Sequence, residues 1–79
     1  RPGVYTVEIN GGRRSKLRPG DILGALTADK TVPGDAVGKI DLMDNVTYVA
    51  IRRDATPAAL NLLNGAKIKG RQYRARGVG

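Results

Sequence analysis

The chain has 79 residues, the size of one domain, and its fourteen basic and seven acidic residues give a net charge of +7. It contains no cysteine and no histidine, which excludes disulfide bonds, thiolate metal sites and any nucleophile activated by a histidine base. The seven acids are scattered and suggest no catalytic pair. We therefore expect no enzyme activity from this chain alone and no bound metal ion, and we expect a polyanion as its partner.

The first half of the chain predicts one strand and one helix. Residues 4–9 alternate between apolar and polar types, as in a half-buried strand. The sequence RPGD at residues 18–21 begins a helix, because proline suits the first helical position and Asp21 lies near the positive end of the helix dipole. The apolar stripe of this helix is expected to comprise Ile22, Leu23 and Leu26.

The second half predicts two strands, a helix and a last strand. The strands cover residues 37–43 and 46–52, with Tyr48 facing outward. Thr56-Pro57 predicts a helix start with a threonine cap, and Asn64-Gly65 predicts a left-handed turn at the end of that helix. Ile68 and Tyr73 are an odd number of positions apart, so they cannot face the same side of one continuous strand. The chain must therefore turn or bulge around residue 70 before the last strand.

The element order is therefore βαββαβ, which predicts an α+β fold. A four-stranded antiparallel sheet would carry two helices on one face and leave the other face open. We expect a single domain over residues 1–79 with an ordered core of about 4–76. The chain begins at Arg1 without a methionine, so we interpret it as a domain excised from a larger protein.

Positive charge is concentrated in two segments. Residues 9–18, INGGRRSKLR, contain four basic residues and no acid, and residues 65–79 contain five basic residues and no acid. The segment between them holds four basic and six acidic residues. This segregation favours a nucleic acid as the partner, although a solvated basic loop and an edge strand protected by charge are the alternatives.

The candidate RNA-binding residues follow from this pattern. The two glycines would let an RNA approach the backbone closely, with exposed N–H groups beside the arginines. The cations would bind phosphates, and the asparagines and the outward tyrosine would contact bases. For the tyrosine, the alternative is an aromatic side chain that simply covers the sheet. The candidates are Asn10, Gly11, Gly12, Arg13, Arg14, Lys16, Arg18, Asn45, Tyr48, Lys69 and Arg74.

Several motifs resemble a known family. The sequence LNGAKIKGR after the second helix resembles the end of RNA-recognition-motif domains. Together with INGGRRSKLRPGDILGALT, GKIDLMDNVTYVAI and KIKGRQYRAR, it is similar to the C-terminal RNA-binding domain of DbpA-type (YxiN-type) DEAD-box RNA helicases. Compared with a general RNA-recognition motif, two of three base-stacking positions are not aromatic: they hold Glu8 and Val46, and the third holds Tyr48.

The resemblance implies a more specific function than the polyanion binding that the composition predicts. It implies a monomeric, cytoplasmic bacterial module that directs a helicase core in the parent chain to a hairpin or junction of 23S ribosomal RNA. The target would lie near the peptidyl-transferase centre and the role would be in ribosome assembly. ATP and Mg²⁺ are expected only for the absent motor domains, and no cofactor or membrane contact is expected here. The alternative is a protein-interaction module of the same fold with only generic RNA affinity.

Overall fold

The structure is a computed structural model that describes residues 3–79, so residues 1 and 2 of the predicted domain lie outside the described part. The element bounds are β1 Val4–Ile9, α1 Pro19–Thr27, β2 Val37–Leu42, β3 Thr47–Arg52, α2 Thr56–Gly65, β4 Lys67–Ile68, β5 Arg71–Gln72 and β6 Ala75–Gly77. Short 3₁₀ turns cover Arg13–Ser15, Gly34–Ala36 and Arg53–Ala55.

The main sheet has four antiparallel strands in the order β2-β3-β1-β6. In its centre Val7 lies opposite Val49, and Glu8 lies opposite both Tyr48 and Arg76. Because side chains alternate along a strand, the first pair faces the core and the second set faces outward. The predicted α+β, RRM-like arrangement is confirmed.

Both helices cover one face of this sheet. Val7 and Val49 are fully buried there, as are Ile22 of α1 and Ala59 of α2. The rest of the core consists of Ile9, Leu17, Leu26, Val32, Ala36, Ile51, Ala55, Leu63, Ile68 and Tyr73. The opposite face carries the outward side chains of β1 and β3 and has no helix over it among residues 3–79.

Helix α1 begins as the sequence predicts. Pro19 is its first residue, and the Asp21 carboxylate accepts a hydrogen bond from the Arg18 N–H at 3.0 Å. The predicted apolar stripe is wrong in one member, because Ile22 and Leu26 are buried whereas Leu23 is 40% exposed. A nine-residue helix on a small sheet buries only the side chains at spacings of three and four that point directly at the core.

Helix α2 differs from the prediction at both ends. A 3₁₀ turn precedes it, so the backbone at Thr56 is already helical and its hydroxyl donates back to the Arg52 carbonyl at 3.0 Å instead of capping the helix. The left-handed turn at Asn64-Gly65 is also wrong. Ala66 follows in an extended conformation (φ −113°) and its N–H donates to the Leu62 carbonyl, because the chain passes directly into β4.

The predicted turn around residue 70 is confirmed, and it closes a hairpin that is separate from the main sheet. Strands β4 and β5 pair with each other, and the two residues between them, Lys69 and Gly70, have positive φ angles of 53° and 76°. Two consecutive left-handed residues match the right-handed twist of a two-residue hairpin. The fourth strand of the main sheet is therefore only β6, a three-residue segment.

Candidate nucleic-acid interface

The two basic segments meet in one groove of about 650 Å³ between the β1–α1 loop and the β4–β5 turn. We call it the basic groove. Its cationic lining consists of Arg13, Arg14, Lys16, Arg18 and Lys69, and its apolar lining of Leu17, Pro19 and Leu42. Five of the eleven sequence-predicted residues are thus brought together, although Lys69 is separated from the others by about fifty residues of sequence.

Gly11 and Gly12 hold the loop against the protein and do not line this groove. Both are buried. A Cβ on Gly11 would overlap the Tyr73 ring, and one on Gly12 would overlap the Met43 carbonyl oxygen. The buried Thr47 hydroxyl donates to the Gly11 carbonyl at 2.7 Å. The close approach predicted for these glycines therefore exists, but the approaching groups belong to the protein.

The backbone and one side chain of the loop are also tied to the β2–β3 turn. The N–H groups of Arg13 and Arg14 donate to the carbonyls of Met43 and Asp44 at 2.8 and 2.9 Å, so these two N–H groups are used within the protein. The Arg13 guanidinium contacts the Asp44 carboxylate at 3.2 Å and the Leu42 carbonyl at 2.7 Å. Arg13 thus anchors the loop, and Arg14 is the better candidate for an external anion.

Lys69 links the β4–β5 turn to the other side of the groove. Its Nζ lies 3.3 Å from the Asp21 carboxylate and donates to the Lys16 carbonyl at 3.1 Å. Lys16 and Lys69 both have left-handed backbone conformations, with φ of 68° and 53°. Such a conformation costs a non-glycine residue about 1–2 kcal/mol, and lysine is not among the residue types that tolerate it best.

A second groove of about 640 Å³ lies at the end of β1, beside β6 and the β2–β3 turn. We call it the amide groove. It contains the predicted residues Asn10, Asn45 and Arg74, together with Glu8, Asn64 and Arg76, which were not among the candidates. The alternation of β1 and the last strand, which places Glu8 and Arg76 outward in sequence, was the available signal for two of them.

The backbone of the last strand is fixed in this groove by two asparagines. The Asn10 side-chain oxygen accepts from the Arg74 N–H at 2.8 Å. The Asn64 side chain accepts from the Ala75 N–H at 2.8 Å and donates to the Ala75 carbonyl at 3.0 Å. Asn10 therefore has a structural contact in addition to its predicted role, and Arg74 is held so that its exposed side chain extends from the groove wall.

Tyr48 lies on the open sheet face and lines neither groove. Its hydroxyl lies 3.3 Å from Oε2 of Glu8, and the residue opposite it on β2 is Asp41. Glu8 is paired with Arg76 at 2.8 Å, so Asp41 is the neighbouring carboxylate that would repel a phosphate at this tyrosine. The outward orientation predicted for Tyr48 is confirmed, and base stacking on it stays a prediction.

Two side chains that line neither groove have shifted pKa values. A hydrogen bond from the Thr31 N–H lowers the pKa of Asp29, and a hydrogen bond with Asp54 raises the pKa of Arg52. Within residues 3–79 no group of three or more acidic side chains is placed to hold a metal ion. Neither helix in this range is long and apolar enough to cross a membrane.

An RRM-like sheet with a cationic groove at one end defines a small nucleic-acid-binding domain. The family model described as "DbpA RNA binding domain" matches residues 6–76, and the chain belongs to this family of RNA-binding domains. The chain is 45% identical over 73 residues to the ATP-dependent RNA helicase DbpA of Escherichia coli (strain K12), covering 92% of this chain and 16% of that protein. It is 34% identical over 71 residues to the ATP-dependent RNA helicase DbpA of Bacillus subtilis (strain 168), covering 90% and 15%. The chain thus spans about a sixth of the length of these relatives.

Proposed function

We propose that this domain anchors an ATP-dependent RNA helicase to structured large-subunit ribosomal RNA. Its target would be a hairpin or junction of 23S RNA near the peptidyl-transferase centre, bound during ribosome assembly in the bacterial cytoplasm. Family membership supports RNA binding, and the names of the two relatives support a helicase parent. The domain acts as a monomer without a cofactor of its own, and ATP and Mg²⁺ bind to the motor domains of the parent.

The observation that carries this proposal is the basic groove. It collects five cations from two distant segments, and only Arg13 and Lys69 among them have carboxylate partners within the described residues. Exposed guanidinium and ammonium groups in a row bind phosphates, which position an RNA without reading its sequence. The half-buried side chain of Leu42 in the lining gives a ribose or a base an apolar surface to contact.

The first experiment is a binding titration at several salt concentrations. A 23S RNA fragment that spans the peptidyl-transferase region is compared with an unrelated hairpin of equal length. If about four phosphates are neutralised, log affinity falls with log salt with a slope near −3. We expect the ribosomal fragment to bind at least about tenfold more tightly at every salt concentration, since contacts to bases do not release counterions. Equal curves for the two RNAs would contradict the ribosomal target and leave only generic RNA binding.

A matched pair of variants tests the groove itself. Arg14 and Arg71 are both exposed arginines, but only Arg14 lines the basic groove. Arg14→Ala should weaken RNA binding by about tenfold and make the salt slope shallower by nearly 1, because one phosphate contact is lost. Arg71→Ala removes the same charge and should change affinity by less than about twofold. If the two variants lose affinity equally, net charge and not the groove determines binding.

A second candidate function uses the open sheet face. The outward row Asp41, Tyr48, Glu8 and Arg76 contains an arginine that pairs with Glu8 at 2.8 Å. Its tyrosine and the remaining carboxylate of Asp41 suit a basic protein segment better than an RNA backbone. This protein-interaction function predicts that Tyr48→Ala abolishes association with a purified ribosomal protein while RNA affinity is kept. Loss of that association on nuclease treatment would show that RNA bridges the two proteins and would exclude this candidate.

A further inference from the structure

Lys69 and Asp21 form an ion pair beside the basic groove. Nζ of Lys69 lies 3.3 Å from Oδ2 of Asp21 and donates to the Lys16 carbonyl at 3.1 Å. The same Oδ2 accepts a hydrogen bond from the Arg18 N–H at 3.0 Å. The two side chains therefore hold the backbone on both sides of Leu17, whose own side chain is buried in the core.

The backbone conformations at this contact indicate that the Lys69 side chain, and not its turn, is what requires a lysine. Lys69 is the first of the two turn residues between β4 and β5, with a φ of 53°. Asparagine and glycine are favoured at such left-handed positions, so the turn alone gives no reason for a lysine. Lys16 is also left-handed, with a φ of 68°. Without the hydrogen bond to its carbonyl, Lys16 would relax toward ordinary backbone angles and carry its side chain away from its present place.

The pair determines where two cations of the groove stand. Lys16 and Arg18 have exposed side chains that line the basic groove, and their backbones are the ones that Lys69 and Asp21 hold. The side chains of Lys69 and Asp21 are 47% and 25% exposed, and ion pairs with this degree of exposure contribute little to stability. The effect of the pair is therefore expected in the geometry of the groove and not in the free energy of unfolding.

An acid beside a polyanion site can act on RNA binding in two ways, which have opposite signs. By charge alone, Asp21 repels phosphates and occupies an ammonium group, so removing its charge should tighten binding. By geometry, Asp21 fixes Lys69 and the Arg18 backbone, so removing its charge should weaken binding. The contacts favour the second effect, because Nζ already contacts two oxygens of the protein, which leaves it little capacity for a phosphate.

We propose that Lys69 and Asp21 are positioning residues for RNA binding, which hold residues 16–18 in the conformation that presents Lys16 and Arg18 to phosphates. Lys69 acts through the loop and not as a phosphate ligand, and the acid Asp21 promotes the binding of a polyanion. A groove that is organised without RNA lowers the ordering cost of association. This inference rests on the proposed RNA-binding function and adds to it the residues that organise its site.

Two variants and their combination test the sign of the effect, with affinity for the 23S fragment measured by fluorescence anisotropy. Asp21→Asn keeps a side-chain oxygen for the Arg18 N–H and removes the charge that attracts Lys69. Lys69→Asn removes the ammonium group and suits the left-handed turn. We expect affinity to fall about threefold in Asp21→Asn and about fivefold in Lys69→Asn, with the double variant within about twofold of Lys69→Asn alone, because both residues act through one contact. Unchanged or tighter binding by Asp21→Asn would overturn the proposal, and so would additive losses in the double variant.

Lys30→Asn is the matched control for Lys69→Asn. Lys30 is an exposed lysine with a φ of 65°, and it does not line the basic groove. The two substitutions therefore remove the same charge and give the same relief at a left-handed position. Affinity should change by less than about twofold in Lys30→Asn, because charges outside the groove are largely screened. A loss in Lys69→Asn no larger than that in Lys30→Asn would contradict the positioning role.

Amide hydrogen exchange in the absence of RNA tests the positioning itself. The N–H groups of residues 16–18 all donate hydrogen bonds within the protein, so their exchange reports local opening of the loop. Lys69→Asn should accelerate exchange in these residues about threefold or more relative to the β3 amides, and Lys30→Asn should not. Unchanged exchange there would overturn the proposal even if RNA affinity fell, because the loss would then come from a direct contact. Circular dichroism shows whether each variant is folded.

Failure of this inference can be separated from failure of the proposed function. If the wild-type domain prefers the ribosomal fragment but Asp21→Asn binds that fragment more tightly, only the positioning role is wrong. If the wild-type domain binds the fragment and the control hairpin equally, the ribosomal target is wrong, and the affinities of the variants for either RNA still test the pair. The exchange measurement needs no RNA and reports on the loop in both cases.

Discussion

Gly12 shows how strongly single residues determine the shape of the interface. Its Cα faces the backbone of the β2–β3 turn, where an added Cβ would overlap the Met43 carbonyl oxygen and lie 2.9 Å from the Asp44 carbonyl. The same carbonyls accept the N–H groups of Arg13 and Arg14. Backbone atoms held by hydrogen bonds cannot move aside as a flexible side chain can, so glycine is required here by contact and not by dihedral angle.

Gly12→Ala is therefore expected to destabilise the domain by about 1–3 kcal/mol, the usual cost of forcing an extra carbon into a packed site. Urea denaturation followed by circular dichroism measures this change in the free energy of unfolding. Gly24→Ala is the matched control. Gly24 lies inside α1, and nothing lies within 4 Å of an added Cβ. That variant should be stabilised by about 0.5–1 kcal/mol, because alanine is the better helix former. Equal effects at the two positions would contradict the packing role of Gly12.

The contacts that shape this loop are not visible in its local sequence. Two adjacent glycines before four cations predict a close approach to the backbone, and the structure shows such an approach, but from groups of the protein itself. The Tyr73 ring and the Met43 carbonyl, which impose the constraint on Gly11 and Gly12, come from distant segments. The Arg13–Asp44 pair likewise joins residues 31 positions apart. Local sequence gives no information about such contacts, since they depend on which strands pair.

At the scale of elements, β6 depends on a side chain from α2. This strand has three residues and pairs only with β1. Asn64, near the end of α2, forms two hydrogen bonds with the Ala75 backbone and a third with the Leu60 carbonyl. A strand this short has few ladder bonds of its own, so the asparagine provides a substantial part of what holds it in place.

Asn64→Ala should lower the free energy of unfolding by about 1–2 kcal/mol, since each hydrogen bond contributes about 0.5–1.5 kcal/mol. Amide hydrogen exchange should also become faster selectively in residues 75–78. Asn61→Ala is the control, because Asn61 is exposed on the same helix three residues earlier. Its replacement should be neutral or slightly stabilising through helix propensity. Uniform acceleration of exchange over the whole sheet would argue against a specific link between α2 and β6.

Elements with a clear hydrophobic period were predictable, and those without one were not. β1 and β3 alternate over six residues each and lie where the alternation places them. Residues 67–77 contain three strands of two or three residues, which are too short for a period to be seen. The only signal in this segment is that Ile68 and Tyr73 cannot face the same side of one continuous strand, which correctly located the turn around Gly70 but not the separate hairpin. The ends of α2 were mistaken because its termini are determined by the preceding 3₁₀ turn and the following strand.

At the scale of the whole molecule, the fold divides the predicted site into two chemically different grooves. The charge pattern identified two basic segments. In the fold, Lys69 of the second segment lines the basic groove, whereas Arg74 and Arg76 of the same segment line the amide groove. Sequence could not predict this division, because it follows from strand pairing after the turn at Lys69-Gly70: β5 pairs with β4, and β6 joins the main sheet. The basic groove is lined by five cations, and the amide groove contains the Glu8 carboxylate, three amides and two arginines.

The affinity of the domain for RNA should depend on salt concentration and not on pH near neutrality. No side chain in the sequence has an ordinary pKa between about 5 and 8, because histidine is absent. The cations of the basic groove are lysines and arginines, which ordinarily stay protonated in this range, and RNA phosphates stay ionised. Affinity for the 23S fragment should then vary by less than about twofold from about pH 6 to about pH 8.5.

The same complex should lose about 60-fold in affinity between about 50 and 200 mM salt, the consequence of a slope near −3. Fluorescence anisotropy measures both dependences on one labelled RNA, and circular dichroism at each pH confirms that the domain is folded. A tenfold change in affinity across the pH range would mean that a group with a strongly displaced pKa takes part in binding.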